Sequence, residues 1–372
     1  MKIMSVFGTR PEGIKMCPVI KELERRQGIE SIVCLTGQHE EMLDQVIEIF
    51  KVKVDYNLHI MRRNQTLSNI TSNILIHLDE IMEKERPDMV LVHGDTSSSL
   101  AAALSAFYHH IPIGHVEAGL RTYNMQSPYP EEFNRQAVDL IADLFFAPTE
   151  YAKNQLLLEK KDESKIFVTG NTVIDALKTT VNKNYYNENI KWCGSNKMVL
   201  LTVHRRENIG KPMENIFNAI NRILDKYSDV RVVYPVHKNP RVREIAYKYF
   251  KGKDKIKLIE PLDVYDFHNF MNKSYIVVTD SGGIQEEAPA LGKPVLVLRD
   301  KTERPEGVEA GVLKVIGTES DNVYREIENL LINKKEYSHM SKTINPYGKG
   351  FSSKCIVDII ENYFMENEVC LK

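Results

Sequence analysis

Several features that would assign a protein to a specialised class are missing from this 372-residue chain. Its five cysteines are scattered and contain no CxxC pair, so they predict free thiols in a reducing cytoplasm rather than a disulfide framework or a zinc cage. No apolar run approaches the roughly 20 residues that span a bilayer. The opening MKIMSVFGTRPEG has too short an apolar run for a signal peptide. A net charge of -2 gives no reason to expect nucleic acid or a membrane surface as a partner.

The common catalytic fingerprints are missing as well. The chain contains no GxxxxGK[ST] loop, no GxGxxG turn and no Ser-His-Asp order with a nucleophile elbow. Any chemistry must therefore come from residues that a fold brings together.

What the chain does contain is an alternation of short β-branched runs with amphipathic stretches from end to end. This rhythm predicts parallel sheets covered by helices on both faces. The length exceeds what one core usually holds, and the rhythm restarts after the polar stretch 182–196, which we interpret as a linker. We predict an α/β protein with two Rossmann-like, doubly wound domains, residues 1–175 and 176–350, and a cleft between them. A late helix in residues 351–372 is expected to pack back on the first domain.

Charged side chains of the first domain gather where its strands end, which is the ligand edge of a doubly wound sheet. Arg10 and Lys15 flank the start of the first helix, where free N–H groups and cations favour a phosphate. The segments HGDTSSS, GHVEAG and SPYPEEF place Asp95, Glu117 and Glu131 at the same edge. Neighbouring carboxylates push their pKa values apart, which separates a proton donor from a proton acceptor. The pattern indicates proton transfer on a phosphorylated substrate.

A glycine-rich turn follows a strand of the second domain in TDSGGIQEEAPALGKP. Glycines let an anion approach backbone N–H groups, a serine adds a donor and a glutamate suits a ribose diol. The alternative is an ordinary helix start with glutamates that favour the helix dipole. The candidate ligand contacts are Ser281, Gly282, Gly283, Glu287 and Arg304.

Two histidines also follow strands of the second domain. His204 stands beside Arg205 and Arg206, so we expect it to bond a phosphate oxygen. For His237 a structural hydrogen bond is the simpler interpretation.

A metal site is a rival interpretation for the first domain. Residues two apart in a strand share a face, so His93 would align with Asp95 and His115 with Glu117. Two such pairs have ligand types that suit a divalent cation. In a third interpretation the histidines only orient the carboxylates.

The ordered set FGTRPEGIKM, TGQHEEMLDQV, HGDTSSS, GHVEAGLRT, SPYPEEFNR, VTGNTVIDAL, TVHRREN and TDSGGIQEEAPALGKPVLVLRDKTERPE resembles the non-hydrolysing UDP-N-acetylglucosamine 2-epimerases of bacteria and archaea. The resemblance covers about residues 3 to 320. It implies a glycosyltransferase-B-like fold, a homodimer and interconversion of UDP-N-acetylglucosamine and UDP-N-acetylmannosamine without a cofactor or a metal. The reaction implied is elimination of UDP to 2-acetamidoglucal, followed by re-addition.

The resemblance also assigns roles by position. It implies that Asp95, Glu117 and Glu131 are the acid/base carboxylates, that Arg10, Lys15 and His204 contact the diphosphate, and that His204 also belongs with the catalytic residues. Some members bind a second UDP-N-acetylglucosamine at a regulatory site. The matching positions here are Gln38, His39, Gln65, Glu132, Arg206 and His237.

Three other functions stay open at this point. A hydrolysing epimerase shares the elimination step but releases free N-acetylmannosamine and UDP. A glycosyltransferase of the same fold does not explain three carboxylates in the first domain. A non-catalytic sugar-nucleotide-binding protein has no need of those carboxylates.

Overall fold

The computed structural model describes residues 1–38, 40–62 and 65–370. The chain divides into two compact units. Unit 1 comprises Met1–Thr179 and Tyr347–Lys372, and unit 2 is the continuous segment Thr180–Pro346. The sequence had placed these divisions at 175/176 and 350/351.

Unit 1 contains a parallel sheet whose strands are β1 (Lys2–Phe7), β2 (Glu30–Leu35), β3 (Tyr56–Asn57), β4 (Met89–His93), β5 (Ile113–Val116), β6 (Leu144–Ala147) and β7 (Ile166–Val168). Within the described residues their order is β3-β2-β1-β4-β5-β6-β7. The order reverses between β1 and β4, which is where doubly wound sheets bind ligands. The strands β3 and β7 have two and three residues, too few for the sequence to show a pattern.

Helices cover both faces of this sheet: α1 (Arg10–Leu23), α2 (Glu40–Phe50), α3 (Leu67–Glu85), α4 (Ser97–Tyr108), α5 (Glu131–Ile141), α6 (Glu150–Leu158) and α7 (Thr172–Thr180). One buried cluster joins Leu78 of α3 and Ala102 of α4 to Val90 and Val92 of β4. The small side chains of α4 allow it to pack closely against both the sheet and α3.

Unit 2 repeats the arrangement with the parallel strands β8 (Lys197–Thr202), β9 (Val230–Pro235), β10 (Ile256–Ile259), β11 (Ile276–Thr279), β12 (Val295–Val297) and β13 (Leu313–Val315). Their order is β10-β9-β8-β11-β12-β13, with the reversal between β8 and β11. The helices are α8 (Glu188–Cys193), α9 (Lys211–Lys226), α10 (Pro240–Phe250), α11 (Val264–Lys273), α12 (Ile284–Ala290), α13 (Pro305–Glu309), α14 (Ser320–Ile332) and α15 (Lys334–Lys342). The predicted fold class, α/β with two doubly wound parallel sheets, is confirmed.

The predicted linker 182–196 is wrong, because this stretch is an integral part of unit 2. It contains α8, whose Cys193 is buried in a core cluster of that unit, with Ile190 and Trp192 packed against the same cluster. Its polar residues serve local structure: Asn187 caps α8 by accepting a bond from the backbone N–H two residues on, at 2.9 Å. Polar composition alone therefore did not distinguish capping residues from a linker.

The last helix, α16 (Ser352–Cys370), belongs to unit 1. Arg26, just after α1, donates to Asp358 at 2.6 Å and to Glu361 at 3.0 Å. Across the described ranges, no helix is both long enough and apolar enough to span a bilayer.

Candidate active site

Glu12 fixes the first loop at the ligand edge of unit 1. Its carboxylate is 2% exposed and accepts bonds from the N–H groups of Gly8 and Thr9 at 3.1 and 2.7 Å. It also accepts bonds from the hydroxyls of Thr96 and Ser99, at 2.7 and 2.8 Å. Burial raises the pKa of Glu12 in spite of these donors. The hydroxyl run after β4 thus ties two neighbouring loops together, a role that the sequence pattern did not indicate.

Asp95 and Glu117 lie at adjacent strand ends, as the sequence predicted. In the β4–β5 register His93 pairs with Val116, and the N–H of Gly94 donates to the Val116 carbonyl at 2.9 Å. A Cβ atom placed on Gly94 would lie 3.7 Å from Oε1 of Glu117. The backbone beside Asp95 therefore approaches the Glu117 carboxylate closely.

The Glu117 carboxylate is held from two directions. Nζ of Lys15 donates to Oε2, and Nδ2 of Asn171 donates to the same oxygen at 2.8 Å. The Glu117 backbone has φ = 67°, a left-handed conformation that costs a non-glycine residue on the order of 1 kcal/mol. Contacts on the side chain thus stabilise a strained backbone at a strand end.

His93 lies beside Glu117 as a neutral imidazole. Its Nε2 is 3.8 Å from Oε2 of Glu117, and only 5% of its side chain is exposed. Burial lowers its pKa to about 3, although the neighbouring carboxylate opposes this shift. Nε2 has no hydrogen-bond partner among the described residues.

Helix α5 supports Asp95. Arg135 donates to Oδ2 of Asp95, and Nδ2 of Asn134 donates to the Asp95 carbonyl at 2.9 Å. Glu131 is the first residue of the same helix, and its Oε2 is buried with no partner in the described part of the chain. Residues three and four apart share a helix face, so EEFNR in the sequence could place Arg135 on the same face as Glu131 but could not indicate its bond to Asp95.

The expected pairing of His115 with Glu117 is wrong. His115 is fully buried, with Nδ1 2.6 Å from Oδ1 of Asp139 and Nε2 2.8 Å from the Gly94 carbonyl. Strand alternation failed because β5 ends at Val116 and the next residue adopts the left-handed conformation. In the described ranges, no group of three or more His, Cys, Asp or Glu side chains is arranged to hold a metal ion.

Asp139 is the centre of a buried charged network below this edge. It accepts bonds from His115, from Nη2 of Arg121 at 2.7 Å and from the Gly119 N–H at 3.3 Å. Arg121 also binds Glu159 through Nε and Nη2, both at 2.7 Å. Burial opposes ionisation of Asp139, but the charges of His115 and Arg121 outweigh it and lower its pKa. The network joins the ends of β4 and β5 to α5.

Asp280 shapes the ligand edge of unit 2. It is fully buried after β11, and its Oδ2 accepts bonds from the N–H groups of His204 and Arg205, both at 2.9 Å. The Asn208 amide donates to the same oxygen at 3.0 Å. Oδ1 lies 3.8 Å from Nε2 of His204 and has no hydrogen-bond partner among the residues described.

His204 and His237 form a stacked pair with ring centroids 5.4 Å apart. Nδ1 of His237 accepts a bond from the Asn239 N–H at 3.1 Å, so it is unprotonated. Burial, with a smaller contribution from His204, lowers the pKa of His237. Arg206, two residues after His204, is exposed.

The glycine-rich turn lies next to two cations. A Cβ atom on Gly282 would be 3.8 Å from Nη2 of Arg205 and 3.9 Å from Nη1 of Arg304. Arg304 is oriented by Glu286, to which its Nε donates at 2.6 Å. Half-buried backbone N–H and guanidinium groups together suit a phosphate group.

The remaining predicted ligand contacts occupy three environments. Arg10 begins α1 and is half-buried. Ser281 and Gly283 lie in the turn before α12, where the Ser281 N–H donates to a threonine hydroxyl at 2.9 Å. Glu287 lies 3.5 Å from Nε2 of the buried His268.

The positions assigned to a regulatory site lie in different environments. Gln38 accepts a bond from the Ser98 hydroxyl at 2.8 Å, and Gln65 donates to a backbone carbonyl. Glu132 is fully buried and accepts bonds from two backbone N–H groups, at 3.0 and 2.8 Å. His39 lies outside the described residues.

These features define a class: a two-unit α/β protein with carboxylates gathered at one sheet edge and with cations beside a glycine-rich turn in the other unit. The family model for UDP-N-acetylglucosamine 2-epimerase matches residues 21–361. The Bacillus subtilis UDP-N-acetylglucosamine 2-epimerase is 58% identical, over 96% of this chain and 94% of that protein. The chain belongs to the UDP-N-acetylglucosamine 2-epimerase family.

Two solved structures are similar along almost the whole chain. The S. aureus MnaA–UDP co-structure has a TM-score of 0.89 at 56% identity and covers 98% of this chain and 96% of that one. The Neisseria meningitidis UDP-GlcNAc 2-epimerase bound to UDP-GlcNAc has a TM-score of 0.88 at 48% identity, with coverage of 97% and 100%.

Proposed function

We propose that this protein is a non-hydrolysing UDP-N-acetylglucosamine 2-epimerase, which inverts C2 of the sugar and returns it to UDP. The observation that carries this proposal is the cluster of Asp95, Glu117 and Glu131 at the ligand edge of unit 1, with Glu117 held by Lys15 and Asn171. The family membership supports the substrate, since the Neisseria meningitidis relative was solved bound to UDP-GlcNAc.

The chemistry explains why several carboxylates are needed. The C2 proton is not acidic, because no carbonyl group is attached to C2. A base removes this proton as the C1–O bond breaks, which gives 2-acetamidoglucal and UDP. An acid then delivers a proton to C2 from the other face, and a UDP phosphate oxygen bonds to C1 again. Each placed proton-transfer group typically contributes about 10²–10⁴-fold.

Asp95, Glu117 and Glu131 form the acid/base set in this proposal. Lys15 and Asn171 favour an ionised Glu117 because both donate to its Oε2. Arg135 donates to Oδ2 of Asp95 and so holds this side chain in place. The three carboxylates lie on two strand ends and one helix start, which are rigid parts of the fold.

Unit 2 binds the UDP moiety in this proposal. Departing UDP develops negative charge, which fixed cationic and N–H donors stabilise. Arg205 and Arg304 lie near Gly282 and supply the cations. The complete set of proposed diphosphate and ribose contacts is Arg10, Lys15, His204, Ser281, Gly282, Gly283, Glu287 and Arg304, and His204 also acts in catalysis beside Asp280.

The setting of the reaction is part of the same proposal. The enzyme acts in the cytoplasm without a cofactor and supplies N-acetylmannosamine units for cell-surface polysaccharide. It forms a homodimer, and the exposed apolar side chains of Ile76, Phe107 and Leu140 on α3, α4 and α5 support an interface there. A second UDP-N-acetylglucosamine activates it through the regulatory positions named above.

Proton NMR in deuterium oxide with EDTA present tests the reaction. We expect UDP-N-acetylglucosamine to give UDP-N-acetylmannosamine carrying deuterium at C2. Free N-acetylmannosamine with an equal amount of UDP would instead indicate the hydrolysing reaction. An unchanged sugar would contradict epimerisation and direct the search to glycosyl acceptors.

The amide variants Asp95→Asn, Glu117→Gln and Glu131→Gln test the acid/base set. We expect each to keep UDP affinity while kcat falls by about 10²-fold or more. Normal turnover in all three would refute the assignment, and lost UDP binding would indicate a structural role.

A further inference from the structure

We propose that Asn171 is a positioning residue of the active site, whose side-chain amide directs the Glu117 carboxylate. This inference rests on the proposed function, in which Glu117 transfers a proton. Asn171 belongs to the segment GNTVIDA, to which neither the predicted chemistry nor the predicted ligand contacts give a role.

The orientation of the Asn171 amide is fixed by its own surroundings. The residue is 2% exposed at the start of α7, and its Oδ1 accepts a bond from the Val173 N–H at 3.0 Å. An N–H group can only donate, so the oxygen must face Val173 and the NH2 group must face the carboxylate. Nδ2 accordingly donates to Oε2 of Glu117 at 2.8 Å.

Lys15 alone would not fix the orientation of the Glu117 carboxylate. An ammonium group is a compact charge on a flexible four-carbon chain, so it attracts a carboxylate without fixing its rotation. The Asn171 amide is planar and held at its other end. With both donors on Oε2, the Glu117 carboxylate is oriented so that Oε1 lies toward Gly94, the residue before Asp95.

The same segment anchors the C-terminal part of unit 1. The Asn171 N–H donates to the Tyr347 carbonyl at 2.7 Å. Asp175, four residues on, accepts bonds from the N–H groups of Ser352 and Ser353, both at 3.1 Å, at the start of α16. Asp175 therefore has a structural role near Asn171, and it provides a matched control.

Asn171→Asp is the decisive variant, because it keeps the acceptor for Val173 and replaces the donor to Glu117 by a second carboxylate oxygen. We expect kcat to fall by about 10²-fold while KM changes less than about threefold. A neighbouring negative charge raises the pKa of a carboxyl group. The acidic limb of the kcat–pH profile is therefore expected to move to higher pH.

Asn171→Ser provides a second test if Asn171→Asp does not fold. Its hydroxyl can still accept the Val173 bond but is too short to reach Glu117. We expect a lower kcat and a smaller shift of the acidic limb in the same direction. The control Asp175→Asn should lower the melting temperature and leave the acidic limb in place.

The outcomes separate this inference from the proposed function. Wild-type kcat and pH profile in both Asn171 variants, with Glu117→Gln inactive, would overturn the positioning role. The positioning role would also be overturned if kcat in the Asn171 variants fell only in proportion to the loss of folded protein and the acidic limb of the kcat–pH profile did not move. Wild-type turnover in Glu117→Gln would instead refute the proposed role of Glu117 itself.

Discussion

The buried network around Asp139 makes a strong prediction about stability. Asp139→Asn keeps the shape of the side chain but removes its charge and places an NH2 group among donors. In the native protein the carboxylate accepts bonds from His115 at 2.6 Å, from Arg121 at 2.7 Å and from the Gly119 N–H at 3.3 Å. An amide has one acceptor oxygen, so it cannot satisfy all three donors.

The expected loss is large because the network has almost no access to water. The side chains of His115, Arg121 and Asp139 are all 0% exposed. Removing one partner from a buried charged pair typically costs about 3–5 kcal/mol. For a folding unit of roughly 200 residues this corresponds to a fall in melting temperature of about 6–20 °C. Arg121 keeps Glu159 as a partner, which favours the lower end of this range.

Thermal unfolding followed by circular dichroism measures the effect. The control is Asp143→Asn, because Asp143 is half-buried and accepts a bond from the Ile113 N–H at 2.9 Å, so about 1 kcal/mol or less is expected. The folded pKa of Asp139 lies below its unfolded value. Its contribution is therefore present above about pH 4 and lost as the pH falls further. The gap between wild type and Asp139→Asn should narrow below that pH. Equal melting temperatures for Asp139→Asn and Asp143→Asn at pH 7 would refute the reasoning.

Three further predictions concern single residues. His93 has a folded pKa of about 3, so as the pH falls below 6.5 this histidine is protonated in the unfolded chain before it is protonated in the folded one. The free energy of unfolding of the wild type therefore falls by up to about 1.4 kcal/mol per pH unit. The free energy of unfolding, measured by urea titration between pH 6.5 and 5, should change less with pH in His93→Gln than in the wild type. The same pH dependence in both proteins would contradict this. Asp280→Asn should lower kcat by about 10–10²-fold and weaken UDP binding in calorimetry, because Asp280 positions His204, a proposed UDP contact. Unchanged kcat and UDP affinity would refute that role. Gly119→Ala should cost more than about 2 kcal/mol in urea denaturation, since its Cβ would lie 2.3 Å from a backbone carbonyl oxygen. The control is Gly28→Ala: Gly28 has nearly the same φ, and its added Cβ would have no atom within 4 Å, so the loss of stability should be only about 1 kcal/mol. Equal losses in the two variants would contradict a steric cost at Gly119.

The sequence predicted those parts of the site that depend on strand ends. Parallel strands bring their carboxyl ends to one edge, so the β-branched runs before Asp95 and Glu117 were sufficient to place both there. The strands of unit 2 that precede His204, His237 and Gly282 were predicted in the same way, and with them the turns that hold these residues. Local pattern and sheet geometry agree at these points.

Contacts between distant parts of the chain could not be predicted. Asn171 lies 54 positions from Glu117, and Arg135 lies 40 positions from Asp95. No periodic pattern links such pairs, since they meet only once the sheet order is known. His115 was misjudged for a local reason, because alternation ends where the backbone of Glu117 becomes left-handed.

The division of unit 1 into two chain segments has a consequence for biosynthesis. All of unit 2, Thr180–Pro346, is synthesised before the segment Tyr347–Lys372 that completes unit 1. At typical elongation rates the first segment waits roughly 10–30 s for that segment. During this time the nascent chain lacks the Tyr347 carbonyl that binds Asn171 and the acidic partners of Arg26. A chain that terminates between Asn171 and Tyr347 would therefore retain every carboxylate of the proposed acid/base set but lack part of its support.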